Sequence, residues 1–92
     1  MIYRKNPDVV KRAIAGEVFL IPVKNRLADM RQVFVLHGPA EFIWDRLDGQ
    51  QSTDQILHQL VEEYDVQPAQ ASGDLQELVR DLEKAGLAAR AD

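Results

Sequence analysis

The side chains that could carry acid–base or metal chemistry in this 92-residue chain are few and widely spaced. Its two histidines are His37, at a predicted strand–helix turn, and His58, on the predicted solvent face of a helix. The acidic residues of the second half have the spacing of solvated helix faces, without the burial that a paired acid–base role requires. There is no cysteine and no glycine-rich phosphate loop. The sequence therefore predicts no catalytic residue, no cofactor and no metal site.

The composition indicates one small folded domain. Hydrophobic residues make up 46% of the chain, too many for a disordered protein, and no apolar run could span a bilayer. The first residues lack the apolar segment of a signal peptide, so we expect a cytoplasmic protein. Residues 1–46 carry a charge of +3 and residues 47–92 a charge of −7. We expect a single domain over residues 1–92, with its core at about 7–88 and neither nucleic acid nor membrane as a partner.

Three β-strands are predicted after a loose lead-in at residues 1–8. They are Val9–Ile14, Glu17–Val23 and Gln32–Leu36. Ala15 and Gly16 form a two-residue turn typical of a tight hairpin. The corresponding register pairs Ile14 with Glu17, Arg12 with Phe19 and Val10 with Ile21. The third strand has apolar side chains on both faces, and the sequence predicts no second sheet to cover it, so its open edge invites a partner.

From Ala40 onward the apolar spacing changes to that of helices. The predicted helices are Ala40–Leu47, a second that begins at Ser52, and a third from about Ala69 to Ala85. Ser52 and Gln55 form a plausible capping box, and the helical stripe places Trp44 in the core. The order β-β-β-α-α-α predicts an α+β fold that is winged-helix-like, with a three-stranded antiparallel sheet followed by three helices.

The third helix has two flanks that could face the third strand. With Leu75 at the centre of the buried stripe, Asp74, Asp81 and Ala85 lie on one flank, and Ser72, Gln76 and Glu83 on the other. Each flank carries carboxylates, so a partner that contacts this helix is expected to offer Lys or Arg to them.

The winged-helix outline also raises the hypothesis of DNA binding. The recognition element would be the third helix, which carries four acidic and two basic residues. This excess of acidic residues disfavours contact with phosphates. A winged-helix DNA-binding regulator is therefore kept only as the alternative function. A structural dimer that covers the open strand is a third hypothesis.

The string VFVLHGPAEFIWDRLDGQQSTDQILHQLVEEYDV resembles the PqqD family, the stand-alone form of the RiPP recognition element. The matching motifs are Ile43-Trp44, Leu47-Asp48-Gly49, the helix from Ser52, Tyr64-Asp65-Val66, and Leu82 to Leu87 with its penultimate glycine. His37 departs from the asparagine that the family pattern has at this point.

The resemblance implies a peptide chaperone that has no catalytic activity of its own. Such proteins capture the leader segment of a ribosomally made precursor peptide and present it to a modifying enzyme, often a radical S-adenosylmethionine enzyme. The leader adds as an antiparallel strand beside the third strand, in the cleft next to the third helix. The peptide-binding residues expected here are Gln32, Val33, Phe34, Val35, Leu36, Asp74, Leu75, Leu78, Asp81 and Leu82. A homodimer is compatible with this interpretation.

Overall fold

The computed structural model describes residues 1–23 and 33–92, which form two small sheets and three helices. The elements are β1 (Ile2–Lys5), β2 (Val9–Ile14), β3 (Glu17–Pro22), β4 (Phe34–Leu36), α1 (Ala40–Asp45), β5 (Asp48–Ser52), α2 (Thr53–Glu63), α3 (Pro68–Lys84) and β6 (Ala88–Arg90). One sheet has the order β2-β3-β4 and the other the order β5-β1-β6. The predicted α+β class is confirmed, as is a three-stranded antiparallel sheet that precedes the helices.

The β2–β3 hairpin has the predicted register. Arg12 lies opposite Phe19, and the pairing continues without a shift to Val9 and Pro22. Both turn residues have positive φ, +54° at Ala15 and +82° at Gly16, as the favoured two-residue hairpin turn requires. The strand ends at Pro22, one residue earlier than predicted.

The prediction of a loose N-terminus and a single sheet is wrong. Strand β1 lies at the centre of the second sheet, where Arg4 is opposite Asp48 on one side and Ala89 on the other. The Tyr3 side chain is only 5% exposed. Both partners of β1 lie far along the chain, so no local pattern in the first eight residues announces the strand. The ordered structure therefore begins at Ile2 rather than at about residue 7.

The helices and both sheets enclose one core. Its buried members include Leu20, Leu36, Ile43, Trp44, Leu47, Ile56, Leu60, Leu75, Val79 and Leu82. Trp44 is thus a core residue, as its position on the helical stripe predicted. Helix α1 is fixed to β2 by Lys11, whose Nζ lies 2.7 Å from a Glu41 carboxylate oxygen and 2.9 Å from an Asp45 carboxylate oxygen. These hydrogen bonds raise the pKa of Lys11, and the bond to Glu41 has the larger effect.

The ends of α2 and α3 follow their sequence signals. The Ser52 hydroxyl accepts a hydrogen bond from the Gln55 N–H, and the Gln55 side chain accepts one from the Ser52 N–H, which confirms the capping box. Gly86 follows α3 with a φ of +77°, and Leu87 folds back into the core. Within residues 1–23 and 33–92, no helix is long and apolar enough to cross a membrane.

Candidate functional site

Strand β4 lies at the edge of the first sheet. It pairs with β3 through Val18–Leu36, Phe19–Val35 and Leu20–Phe34. Its other edge pairs with no strand in the described part of the chain. The second sheet does not cover this edge, because β5-β1-β6 is a separate sheet. The predicted strand residue Gln32 lies outside the described residues.

The hairpin register decides which β4 groups point to the free edge. The Val23 N–H donates to the Asp8 carbonyl oxygen over 2.8 Å, so this pair is hydrogen-bonded and alternate pairs along the hairpin are too. It follows that Phe19 directs its backbone groups to β2, while Val18 and Leu20 direct theirs to β4. Phe34 and Leu36 therefore bond to β3, and the N–H and C=O of Val35 face the free edge.

The side chains of β4 divide between two faces in the predicted way. Leu36 is 5% exposed, and Phe34 packs against the core beneath the sheet. Val35 and its neighbour across the ladder, Phe19, share the outer face, where both are half-buried. Val33, which precedes the strand, is also half-buried. What β4 offers a partner is consequently mainly the backbone of Val35.

The flank of α3 that carries Asp74 faces the chain segment that follows β4. Asp74 lines a cavity of about 290 Å³ together with Pro39 and Ile43, the residues that follow β4 in the chain. Leu78 and Asp81 lie one and two turns farther along the same side of α3, at i+4 and i+7 from Asp74. Asp74 and Asp81 are exposed and Leu78 is half-buried, so all three side chains are accessible.

The opposite flank of α3 faces other parts of the fold. Ser72 and Gln76 lie against the start of α2, beside Thr53 and Leu57. Glu83 lines an open depression with Arg4 and Lys5 of β1, whose positive charges it faces. The choice that the sequence left open between the two flanks therefore falls on the Asp74 side.

Three of the predicted peptide-binding side chains are buried: Leu36 of β4 and two leucines of α3. Leu75 is 2% exposed and Leu82 is fully buried, since both lie at the centre of the stripe that packs into the core. They hold α3 in place in this structure. Peptide contact by the predicted residues stays a prediction.

Sequence reasoning missed the residues that form the floor of the cavity beside Asp74. Besides Ile43, these are Leu60 of α2 and Val66, which lies in the connection between α2 and α3. The sequence feature that could have pointed to this cavity is Val66, an apolar residue between Asp65 and Gln67. Val66 is 38% exposed in the structure. Asp65, its neighbour, adds a carboxylate to the cavity wall.

Neither histidine lines the cavity beside Asp74. His37 is exposed at the end of β4, and α1 has no side-chain cap, so His37 does not cap that helix. His58 lies on the solvent face of α2 and is 2.8 Å from a Glu62 carboxylate oxygen. Among the residues that the structure describes, no group of histidine and acidic side chains is arranged to hold a metal ion.

Comparison with known protein families gives a match over residues 17–88 to the model described as "Coenzyme PQQ synthesis protein D (PqqD)". This chain belongs to the PqqD family. The matched residues run from β3 through α3 to the first residue of β6 and so include the whole candidate site. Comparison with curated protein sequences finds no significant match.

Two solved structures are similar to this PqqD-family chain. "Lasso peptide synthetase B1 complexed with the leader peptide" superposes with a TM-score of 0.76 and 24% identity, over 97% of this chain and 99% of the other. "TbiB1 in Complex with the TbiA(beta) Leader Peptide" gives a TM-score of 0.72 and 24% identity, over 92% and 93% of the two chains. At this identity the likeness establishes the shared fold.

Proposed function

We propose that this PqqD-family protein binds the leader segment of a ribosomally made precursor peptide and presents the precursor to a modifying enzyme. The leader adds as an antiparallel strand to β4. The observation that carries the proposal is the β4 edge that pairs with no strand of residues 1–23 and 33–92, where the Val35 N–H and C=O point away from β3. Strand addition uses such unpaired backbone groups for affinity and neighbouring side chains for specificity.

The side chains next to the free edge suit a peptide ligand. Asp74 and Asp81 offer two exposed carboxylates, with Leu78 between them as an apolar contact. Membership of the PqqD family supports the same function, as do two proteins of the same fold that are named as leader-peptide complexes. The affinity is expected to come mostly from backbone hydrogen bonds, each of which contributes about 0.5–1.5 kcal/mol net.

The protein itself has no catalytic step in this proposal. The chemistry belongs to the partner, a radical S-adenosylmethionine enzyme or another peptide-modifying enzyme, as the family resemblance implies. Because ribosomes make the precursor, we expect the protein to act in the cytoplasm. A homodimer that pairs two β4 edges would compete with the leader for the same backbone groups.

DNA binding is the weaker candidate. Helix α3 carries Asp74, Glu77, Asp81 and Glu83 against Arg80 and Lys84, and all six are exposed. A surface with that excess of carboxylates repels phosphates. No observation on α3 favours contact with the major groove.

Amide hydrogen exchange tests the proposal at single-residue resolution. In the free protein, the Val35 amide should exchange fast, whereas the Phe34 and Leu36 amides should be protected by their bonds to β3. Adding a synthetic leader of a candidate precursor peptide should protect Val35 and shift the amide signals of residues 33–36. A scrambled leader is the control. If Val35 exchange is unchanged at saturating leader, strand addition at β4 is wrong.

Amide exchange and sedimentation, both measured over a range of protein concentrations, separate leader binding from self-association. Protection of Val35 that rises with protein concentration, without any leader, would identify a β4–β4 dimer in place of the proposed complex. Protection that depends on the leader alone supports the proposal.

A further inference from the structure

The cavity beside Asp74 combines an apolar floor with an acidic wall. Ile43 and Leu60 are buried core residues that close its base, and Val66 extends the apolar surface to the opening. Asp65 and Asp74 contribute exposed carboxylates. Neither carboxylate makes a hydrogen bond or ion pair within residues 1–23 and 33–92. Both are therefore available to a ligand that carries positive charge.

The cavity lies where a peptide added to β4 would continue. Pro39 forms part of its wall and follows the last residue of β4, Leu36, by three positions. A peptide antiparallel to β4 runs past His37 with its own N-terminal side toward this cavity. The residue that reaches it should lie N-terminal to the residue opposite Leu36, because the chain leaves the strand direction at Gly38 and Pro39.

We propose that this cavity is a specificity subsite for an apolar residue followed or preceded by Lys or Arg in the bound peptide. The apolar side chain covers Ile43, Leu60 and Val66, and the cation lies between Asp65 and Asp74. The inference rests on the proposed function and adds the ligand's chemistry at this place. Long basic side chains suit the site because their aliphatic stems can pack on the apolar floor while the charge stays at the opening.

Charge complementarity selects this occupant over others. An acidic peptide segment would meet two carboxylates, so it is rejected, and an uncharged one gains only the apolar contact. Residues 47–92, which supply most of the cavity wall, carry a net charge of −7 and favour approach of a basic segment. The subsite thus supplies discrimination that backbone pairing at β4 cannot, because backbone groups are the same in every peptide.

Selection from a random peptide library displayed on mRNA tests the subsite without knowledge of the natural leader. The library is selected in parallel on the unaltered protein, on the double variant Asp65→Asn/Asp74→Asn, and on the control Glu63→Gln/Glu77→Gln. The control removes two exposed carboxylates from α2 and α3 that do not line the cavity. Selected peptides are then synthesised, and their Kd is measured by fluorescence anisotropy at low and high salt.

We expect peptides from the unaltered protein and from the control to carry an apolar residue next to Lys or Arg at one fixed position. Asp65→Asn/Asp74→Asn should lose that basic preference. It should weaken the selected peptides roughly two- to thirtyfold at low salt and less at high salt, the range for two exposed ion pairs. The control should bind them as the unaltered protein does.

The outcomes separate the two proposals. Peptides that lose binding with Val35→Pro but show no basic preference would overturn the subsite and leave strand addition at β4 in place. Selected peptides that are indifferent to Val35→Pro, or the absence of any selected peptide, would overturn both. An equal loss of affinity in the Glu63→Gln/Glu77→Gln control would show general charge attraction and would also overturn the subsite.

Discussion

Proline at position 35 should separate peptide binding from folding. The Val35 N–H points to the free edge of β4, so its removal breaks no bond to β3. Proline is tolerated on edge strands in this orientation, and it keeps the residue before it extended. Proline at position 34 is different, because the Phe34 N–H bonds to β3 and its side chain packs against the core.

The size of the effect follows from the ladder geometry. A hydrogen-bonded pair in an antiparallel sheet exchanges two bonds, so Val35 would donate one to the leader and accept one from it. Proline removes the first, and its ring crowds the approach that the second requires. At about 0.5–1.5 kcal/mol for each bond, the loss is about 1–3 kcal/mol, or roughly a five- to 150-fold increase in Kd.

The assay needs one matched control and one folding control. Fluorescence anisotropy with a labelled synthetic leader gives the Kd of Val35→Pro and of Val35→Thr, which keeps the N–H and a β-branched side chain. Thermal unfolding followed by circular dichroism shows whether each variant is folded. We expect Val35→Thr to bind nearly as the unaltered protein does, and Phe34→Pro to lose more stability than Val35→Pro.

Two results would refute this reasoning. Equal leader affinity for Val35→Pro and Val35→Thr would show that the leader does not pair with β4 at this position. A larger loss of stability for Val35→Pro than for Phe34→Pro would show that the hydrogen-bond pattern deduced from the hairpin is reversed.

Three further predictions concern stability and can be measured by thermal or urea-induced unfolding. Ala15→Asn should stabilise the protein by about 0.5–1 kcal/mol, because a positive φ strains alanine more than asparagine; no gain would contradict the turn conformation. Leu82→Ala should cost about 2–5 kcal/mol, since Leu82 is fully buried, and a cost below about 1 kcal/mol would place it outside the core. Asp48 accepts hydrogen bonds from the Gln51 and Gln50 N–H groups and from the Gln51 side chain, which lower its pKa from 3.8 to about 2. The lowered pKa means that Asp48 stabilises the fold fully above about pH 4 and loses this effect as the pH falls toward 2. Asp48→Ala should therefore lower the melting temperature at pH 7 more than at pH 2, and an equal effect at both would argue against the pKa shift.

The sequence predicted those elements whose signals are local. Ala15-Gly16 set the hairpin and its register, and Ser52 with Gln55 set the start of α2. The helical stripes identified Trp44 as a core residue. In each case the determining residues lie within a few positions of one another, so turn chemistry, capping or periodicity was enough.

The second sheet could not be predicted in the same way. Strand β1 exists because Asp48–Ser52 and Ala88–Arg90 lie on either side of it, and none of the three segments has a strong strand pattern of its own. Pairing between distant segments depends on the whole fold, which local patterns do not encode.

By itself, the sequence determined the α+β class, the family resemblance, the apolar strand that ends at Leu36 and the acidic character of α3. Only the tertiary structure decided which flank of α3 faces the segment after β4, because helical periodicity leaves both flanks of a buried stripe equivalent. It also decided that Leu75 and Leu82 are inaccessible and that Val35 carries the outward backbone groups. These properties depend on how the helices pack and on the hydrogen-bond alternation across three strands, neither of which a single segment can specify.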